Sequence, residues 1–447
     1  MGDVATTGVA LGLFSGLVLL GLVAASLALS LQPLFRARDL QAARAMLWLL
    51  AIAIGKFALL PSFPGYWDDV RCWNLWSAAM AYAGPARIYE PQFLCDYPPG
   101  YLYVLWPTGW ITRALGLQSF DTIRLVTESP PLIVDFIMGL TIFATIRRLG
   151  AARSAFAGML LFALNPALLF DTLAWGQSDS VLALPILLSA MLAADARYDL
   201  AWAMAAIAVL IKPQGLVLLP LLGLWTLLRA TPGDWLGAAA AFVGVMMIGI
   251  VPFQIGHRWN FIAEIYLSAA GRYPTTSDNA FNLMGLLGGL REPESTRIAG
   301  LSAFALGMTL FLGVYLAAAY ILYRRRTMRG LLLAIFIAYL AMFVLAPRIH
   351  ERYLYPALAI LAPMALESPA MLSIFAVLTG TFLLNLAWVK RYHEFGLALD
   401  PNNWLAGAAA LINLAALAVA LVYGLRSLRA APGPGEPGAR ETSAEDQ

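Results

Sequence analysis

The chain is written in long apolar runs separated by short polar ones. Runs close to the length of a bilayer crossing recur from Gly8 to Leu425. Hydrocarbon holds no water to satisfy a backbone N–H or C=O, so each run is predicted to be a helix. Spans are predicted near 9–31, 45–60, 129–146, 155–171, 180–194, 199–211, 214–229, 236–253, 299–322, 331–346, 353–366, 370–389 and 404–425, about 13 in all. The predicted fold class is all-α, a polytopic integral membrane protein.

Arginine sets the expected orientation. Arg36, Arg38 and Arg44, then Arg147, Arg148 and Arg153, then Arg229, Arg324 to Arg329, and Arg426 with Arg429 fall between predicted spans or at their ends. The positive-inside rule makes all of them cytoplasmic, with the N-terminus outside and the C-terminus inside. The first run lacks a basic leader and a small-residue cleavage site, so it reads as a retained helix. Segment 98–115 is apolar enough to span, but spanning would carry Arg147 and Arg148 outward. It is therefore predicted to lie on the outer surface, with Tyr101, Tyr103, Trp106 and Trp110 among the headgroups. Three units follow: an extra helix and cytoplasmic loop over 1–44, a catalytic unit over 45–430, and a tail over 431–447. That tail is rich in Pro, Gly and acid and is expected to be disordered.

Composition fits this pattern and narrows the function. Of 447 residues 61% are hydrophobic and 12% charged, the mean hydropathy is +0.74, and the net charge is only +3. No soluble surface has that makeup, and so small a charge, spread over loop arginines, does not suggest a nucleic-acid partner. There is no Walker loop, no nucleotide-binding glycine fingerprint and no metal-ligand motif, so neither a cofactor nor a metal is expected. The two cysteines, Cys72 and Cys95, share the first outer loop, 61–128. In an oxidising periplasm a bond between them would close a loop of about 24 residues, stabilising it by roughly 3 kcal/mol. Two free thiols are the alternative.

Chemistry-bearing side chains concentrate in the outer loops. Asp135 and Lys212 interrupt apolar runs, and an ionisable group within a span is a functional candidate by default. Lys212 precedes the helix-breaking Pro213, and Lys56 reads as a snorkelling lysine near a helix end. The first loop carries acids followed by an RxW, at Asp68, Asp69, Arg71 and Trp73, and then DYPP at Asp96, Tyr97, Pro98 and Pro99. NP stands at Asn165 and Pro166, WGQxD at Trp175, Gly176, Gln177 and Asp179, and KPQ at Lys212 to Gln214. NAFNL follows at Asn279 to Leu283, with Asn282 inside it, and a late RIHERYLYP holds Arg348, His350, Glu351 and Arg352.

These motifs, in this order, resemble the GT-C glycosyltransferases, polytopic enzymes that take sugars from polyprenyl-phosphate donors. Within that class the chain is similar to the dolichyl-phosphate-glucose-dependent glucosyltransferases of N-glycan assembly and to bacterial relatives of the second GPI mannosyltransferase. The resemblance covers nearly the whole chain apart from the first helix and the tail. It implies an inverting hexosyltransferase of the bacterial inner membrane that moves glucose or mannose from a polyprenyl-phosphate donor to a lipid-linked or cell-envelope glycan on the periplasmic side. The partners it implies are that donor, a glycan or glycolipid acceptor, and membrane lipids.

Such a donor already has a good leaving group. Positive charge on the departing phosphate helps, and the acceptor hydroxyl needs a base, usually a carboxylate. The implied base is Asp69 or Asp68. Asp69 fits the frame with Val70, Trp73 and Trp76 behind it and is favoured; Asp68 fits the frame counted back from Arg71 and Trp73. His350, Arg352, Arg348 and Lys212 are assigned to the donor phosphate, and Arg71, Asp96, Tyr97, Trp175, Gln177, Asp179, Asn279 and Asn282 to substrate. A transporter or flippase of lipid-linked sugars is the rival reading, which inverted repeats would favour. None is visible in the sequence.

Overall fold

A computed structural model describes residues 2–35, 39–395 and 404–429. Arg36, Arg38, residues 396–403 and the 431–447 tail lie outside the described residues. The protein is all-α apart from a two-residue antiparallel pairing of Arg297–Ile298 with Leu301–Ser302. It is a multi-pass membrane protein. Among the described residues eight helices are long and apolar enough to cross a bilayer: Thr6–Gln32, Leu40–Ser62, Phe120–Arg148, Pro232–Gln254, Ala303–Arg324, Met328–Leu345, Pro369–Tyr392 and Trp404–Ser427. A bent pair, Ala155–Ala163 with Pro166–Trp175, makes a ninth if it is one span.

Each of the about 13 predicted spans contains a helix, but several are too short to cross alone. Asp179–Ala194 and Tyr198–Ile211 have 16 and 14 residues, and both are buried over nearly their whole length. Short or broken helices survive at membrane depth only where protein covers them, and these lie inside a ring formed by the longer helices. The bend at 164–166 has a local cause. Asn165 accepts from the N–H groups of Ala167 and Leu168 at 3.0 and 3.1 Å and donates to Thr379 Oγ1 at 2.7 Å, while Pro166 starts the next turn. The NP dipeptide stops one helix and caps another.

The segment predicted to lie among headgroups is a helix, Pro99–Ala114, but its position is different. Tyr101 and Trp106 are buried, and Trp110 alone of the four aromatics is exposed. It packs against Trp67–Ala83 and Tyr198–Ile211 through small residues. A Cβ on Gly109 would come within 2.7 Å of the Ser77 carbonyl carbon, and one on Gly100 within 2.6 Å of the Ile211 nitrogen. Glycine permits backbone contact there, which holds the helix inside the protein.

The arginine clusters gather at one end of the bundle and pair there. Arg147 bonds the Asp39 carboxylate that also caps Leu40–Leu59, Arg148 meets Asp195 at 3.0 Å, and Arg329 meets Glu367 at 2.9 Å. At the other end lie the first large loop, the WGQxD turn, the 254–298 segment and the 346–354 turn. The N-terminal helix packs along Pro232–Gln254, Ser129–Arg148, Tyr198–Ile211 and Asp179–Ala194.

Candidate active site

The 66–69 segment and the WGQxD turn are built as one unit. Phe170–Trp175 is a π-helical turn that ends at Gly176, whose φ of +82° suits glycine. Gln177 N–H closes on Asp171 O at 3.0 Å, Tyr66 N–H donates to Trp175 O at 2.7 Å, and the Trp73 indole donates to Gly176 O at 3.1 Å. Gly65, φ +76°, and Gly176 both crowd the buried Glu128 carboxylate, since a Cβ on either would lie 2.5 Å from Glu128 Oε1. Arg124 pairs with Glu128 at 3.1 Å, and Lys390 Nζ donates to Gly65 O at 2.5 Å.

This scaffold holds one aspartate. Trp175 Nε1 and Gln177 Nε2 donate to Asp69 Oδ2 at 2.8 and 2.5 Å. Among the described residues nothing donates to Asp69 Oδ1. Asp68 is exposed and, among the described residues, accepts only from the Tyr66 hydroxyl, at 3.4 Å. Trp175 and Gln177 thus stand behind Asp69 and do not line the cavity, and Asp179 occupies the same layer. It bonds Lys212 at 2.8 Å, and both groups are almost wholly buried. Lys212, assigned to a phosphate, is already paired. It lies 5.9 Å from the centre of the Tyr97 ring, where it contributes a cation–π contact and fixed positive potential.

Asp69 opens on a cavity of about 720 Å³. Of the residues predicted to act, Asp68, Asp69, Arg71, Asp96, Tyr97, Lys212, Arg348, His350 and Arg352 all line it. Both the first loop and the 254–298 segment contribute. One side is apolar, formed by Val217, Met308, Phe311 and Met342, of which the last three belong to bilayer-length helices. The cavity therefore joins a charged wall to an apolar flank.

The arginines around it play different parts. Arg348, φ +63°, is clamped by Glu294 through two bonds of 2.6 Å and stacks over Phe304. Arg272 pairs with Asp96 at 2.6 Å. Arg352 donates from Nη1 to Glu351 at 2.8 Å, while its buried Nε–H has no partner among the described residues. Burial raises the Glu351 carboxyl to about 7, against the opposing pull of Arg352. Asp96 is likewise raised by burial, opposed by Arg272. Burial, reinforced by Arg352 and Lys212, holds the His350 imidazole well below its usual range. Its Nδ1 lies 3.2 Å from an Asp278 carboxylate oxygen.

Other expectations meet a different outcome. Cys72 and Cys95 are both free thiols, so the expected disulfide is not formed. The chain between them is fixed by other bonds: the Trp76 indole donates to Phe93 O at 3.0 Å and Tyr89 OH to Tyr97 O at 2.8 Å. Asn279 and Asn282 are buried fasteners outside the cavity. Asn282 donates to Phe343 O and Ala346 O and caps Leu283–Gly288, while Asn279 O accepts from Asn385. Asp135 is no free charge. It accepts from Lys56 at 2.6 Å, Thr172 at 2.9 Å and Tyr355 at 3.0 Å, so Lys56 is a buried partner and does not snorkel. Sequence reasoning assigned no role to Arg272, Tyr273, Gln214 and Tyr353 of the lining; Gln214 is the last residue of KPQ and Tyr353 lies within RIHERYLYP, while Arg272 and Tyr273 stand in no motif.

No family model matches the chain, and no curated protein does. Among solved structures it is similar to the archaeal oligosaccharyltransferase AglB from Archaeoglobus fulgidus, described in complex with an inhibitory peptide and a dolichol-phosphate, at 13% identity and a TM-score of 0.42. That similarity takes in 87% of this chain and 56% of the other, so the chain spans about half the length of that relative.

Proposed function

We propose that this protein is an inverting glycosyltransferase that moves a hexose from a polyprenyl-phosphate donor to a glycan or glycolipid acceptor, with its site on the periplasmic side of the bacterial inner membrane. One observation carries the reading. A carboxylate held from behind by Trp175 and Gln177 faces the same cavity as the partly buried guanidinium of Arg352, and that cavity has an apolar flank on membrane helices. A donor of this class needs all three: a base, a phosphate anchor and room for a hydrocarbon tail.

In this reading both hydrogen bonds on Asp69 Oδ2 fix the carboxylate and leave Oδ1 to take the acceptor's proton as its oxygen attacks C1. Arg352 grips the phosphate and offsets the charge that grows there as the bond to C1 breaks. Lys212 and Arg71 add positive potential. His350, whose imidazole is pushed toward the neutral form by burial, has Nδ1 beside Asp278, and an imidazole that donates there keeps Nε2 as an acceptor for a sugar hydroxyl. One base and displacement from the opposite face invert the anomeric centre.

The test is turnover of purified protein with synthetic polyprenyl-phosphate glucose and polyprenyl-phosphate mannose in the presence of envelope lipid extract. Release of polyprenyl phosphate with one of them is the expected result. No release with either, from folded protein, overturns the reading.

A further inference from the structure

The turn that holds Asp69 is gripped from a distant part of the chain. Lys390, near the end of the helix Pro369–Phe395, is 9% exposed, and its Nζ donates to Gly65 O at 2.5 Å across 325 residues of sequence. It also meets the Glu394 carboxylate at 2.7 Å, but that side chain is 41% exposed. An i,i+4 ion pair at a surface contributes little. It does not explain why an ammonium is buried against a backbone carbonyl, where loss of water costs free energy.

From Gly65 the bonds run on to the carboxylate of Asp69. Gly65 C=O and Tyr66 N–H belong to one peptide unit. That N–H donates to Trp175 O at 2.7 Å, so Lys390 holds one edge of the unit and Trp175 the other. Trp175 C=O shares the next peptide unit with Gly176 N–H, which donates to Asp171 O. The units point the same way, and hydrogen bonds in such a chain polarise one another, so a cation at its head strengthens those below. The end of the chain carries Trp175 and Gln177, whose side chains donate to Asp69 Oδ2 at 2.8 and 2.5 Å.

The neighbouring charges do different work. The Glu128 carboxylate lies against Gly65 and Gly176, yet nothing among the described residues donates to its Oε1, so it fills space there. Arg124 holds Leu60 O and Pro61 O, at 3.4 and 3.2 Å, and stops short of Gly65. No residue of the helix Pro369–Phe395 is among those lining the cavity, so Lys390 reaches the site only from behind.

We propose that Lys390 is a positioning residue for the base. Through the Gly65–Tyr66 and Trp175–Gly176 peptide units it fixes Trp175 and Gln177 and thereby aims Asp69 Oδ1 into the cavity. The role rests on Asp69 acting as the base of glycosyl transfer.

Full-length protein in detergent is read three ways: turnover with synthetic polyprenyl-phosphate glucose or mannose, affinity for the same donor, and hydrogen exchange of the 64–70 peptide against that of the helix Leu40–Leu59. Lys390→Met keeps the length of the side chain and removes its donor. It should lower turnover by about 30-fold, leave donor affinity within about twofold, and speed exchange in 64–70 by about tenfold with Leu40–Leu59 unchanged. Lys390→Arg keeps a cationic donor and should return turnover and protection to within about threefold of native. Native turnover and protection in Lys390→Met, loss of donor affinity along with turnover, equal loosening of both peptides, or Lys390→Arg as impaired as Lys390→Met would each overturn the role. If the native protein turns over neither donor, the proposed reaction fails, and exchange alone decides the link: faster exchange in 64–70 for Lys390→Met but not for Lys390→Arg upholds it, and unchanged exchange overturns it.

Discussion

Two aspartates in this protein sit among opposite charges, and only one has room left. Asp135 is closed on every side: Lys56, Thr172 and Tyr355 take both of its oxygens inside the helix bundle. Asp69 has one oxygen held by Trp175 and Gln177 and the other free beside a cavity of about 720 Å³. A buried charge whose hydrogen bonds are all used fastens helices together, and one left half-satisfied at a cavity can take part in a reaction. The comparison extends to the cations. Lys56 and Lys212 are each consumed by a carboxylate, whereas Arg352 keeps an unpaired Nε–H.

The largest expected effect is on the closed pair. Asp135→Ala leaves Lys56 buried without a partner and should destabilise the fold by about 3–5 kcal/mol. The double variant Asp135→Leu with Lys56→Met removes both charges and should recover most of that loss, which chemical denaturation of both proteins in detergent would show. If the double variant also loses transfer activity while remaining as stable as the native protein, the division between fastening and reacting groups fails.

Next comes Arg352. Arg352→Ala should weaken donor binding by about tenfold to hundredfold and Arg352→Lys by less, because an ammonium keeps the charge and loses the two-pronged grip. Donor titration followed by intrinsic tryptophan fluorescence checks it. Equal loss in both variants would point to shape, not phosphate recognition.

The smallest effect is on pH dependence. Glu351 is protonated below about 7, where it leaves Arg352 available to a ligand; above that it ionises and competes for the guanidinium. A sugar phosphodiester does not itself titrate there, so donor KM should rise by about threefold between pH 6 and pH 8. Glu351→Gln should flatten the profile. The same shift has a sign for stability: the folded-state value lies above the unfolded one, so the stabilising contribution of protonated Glu351 is complete below about 4.5 and lost as pH rises through about 7.

Much of this was legible in the sequence because local pattern determines it. Helix positions follow from apolar runs, whereas the predicted span 155–171 runs through the Asn165–Pro166 break. The residues of the charged cavity wall stood in motifs, but their partners in the fold were not legible. Trp175, Gln177 and Asp179 look like contacts to substrate in a motif, and the fold places them one layer back. The Lys56 and Asp135 pair joins residues 79 apart, which no periodicity links. The helix Pro99–Ala114 was assigned to the surface from charge alone, since the sequence does not show that glycines 100 and 109 let it sink between two others.

The central claim is that Asp69 is the base and that its neighbour is not. The direct test is to make Asp69→Asn and Asp68→Asn separately and measure turnover and donor affinity for each. The account predicts that Asp69→Asn loses roughly 100-fold to 10,000-fold in turnover with donor affinity nearly unchanged, and that Asp68→Asn stays close to the native protein. Near-native turnover in Asp69→Asn would contradict it.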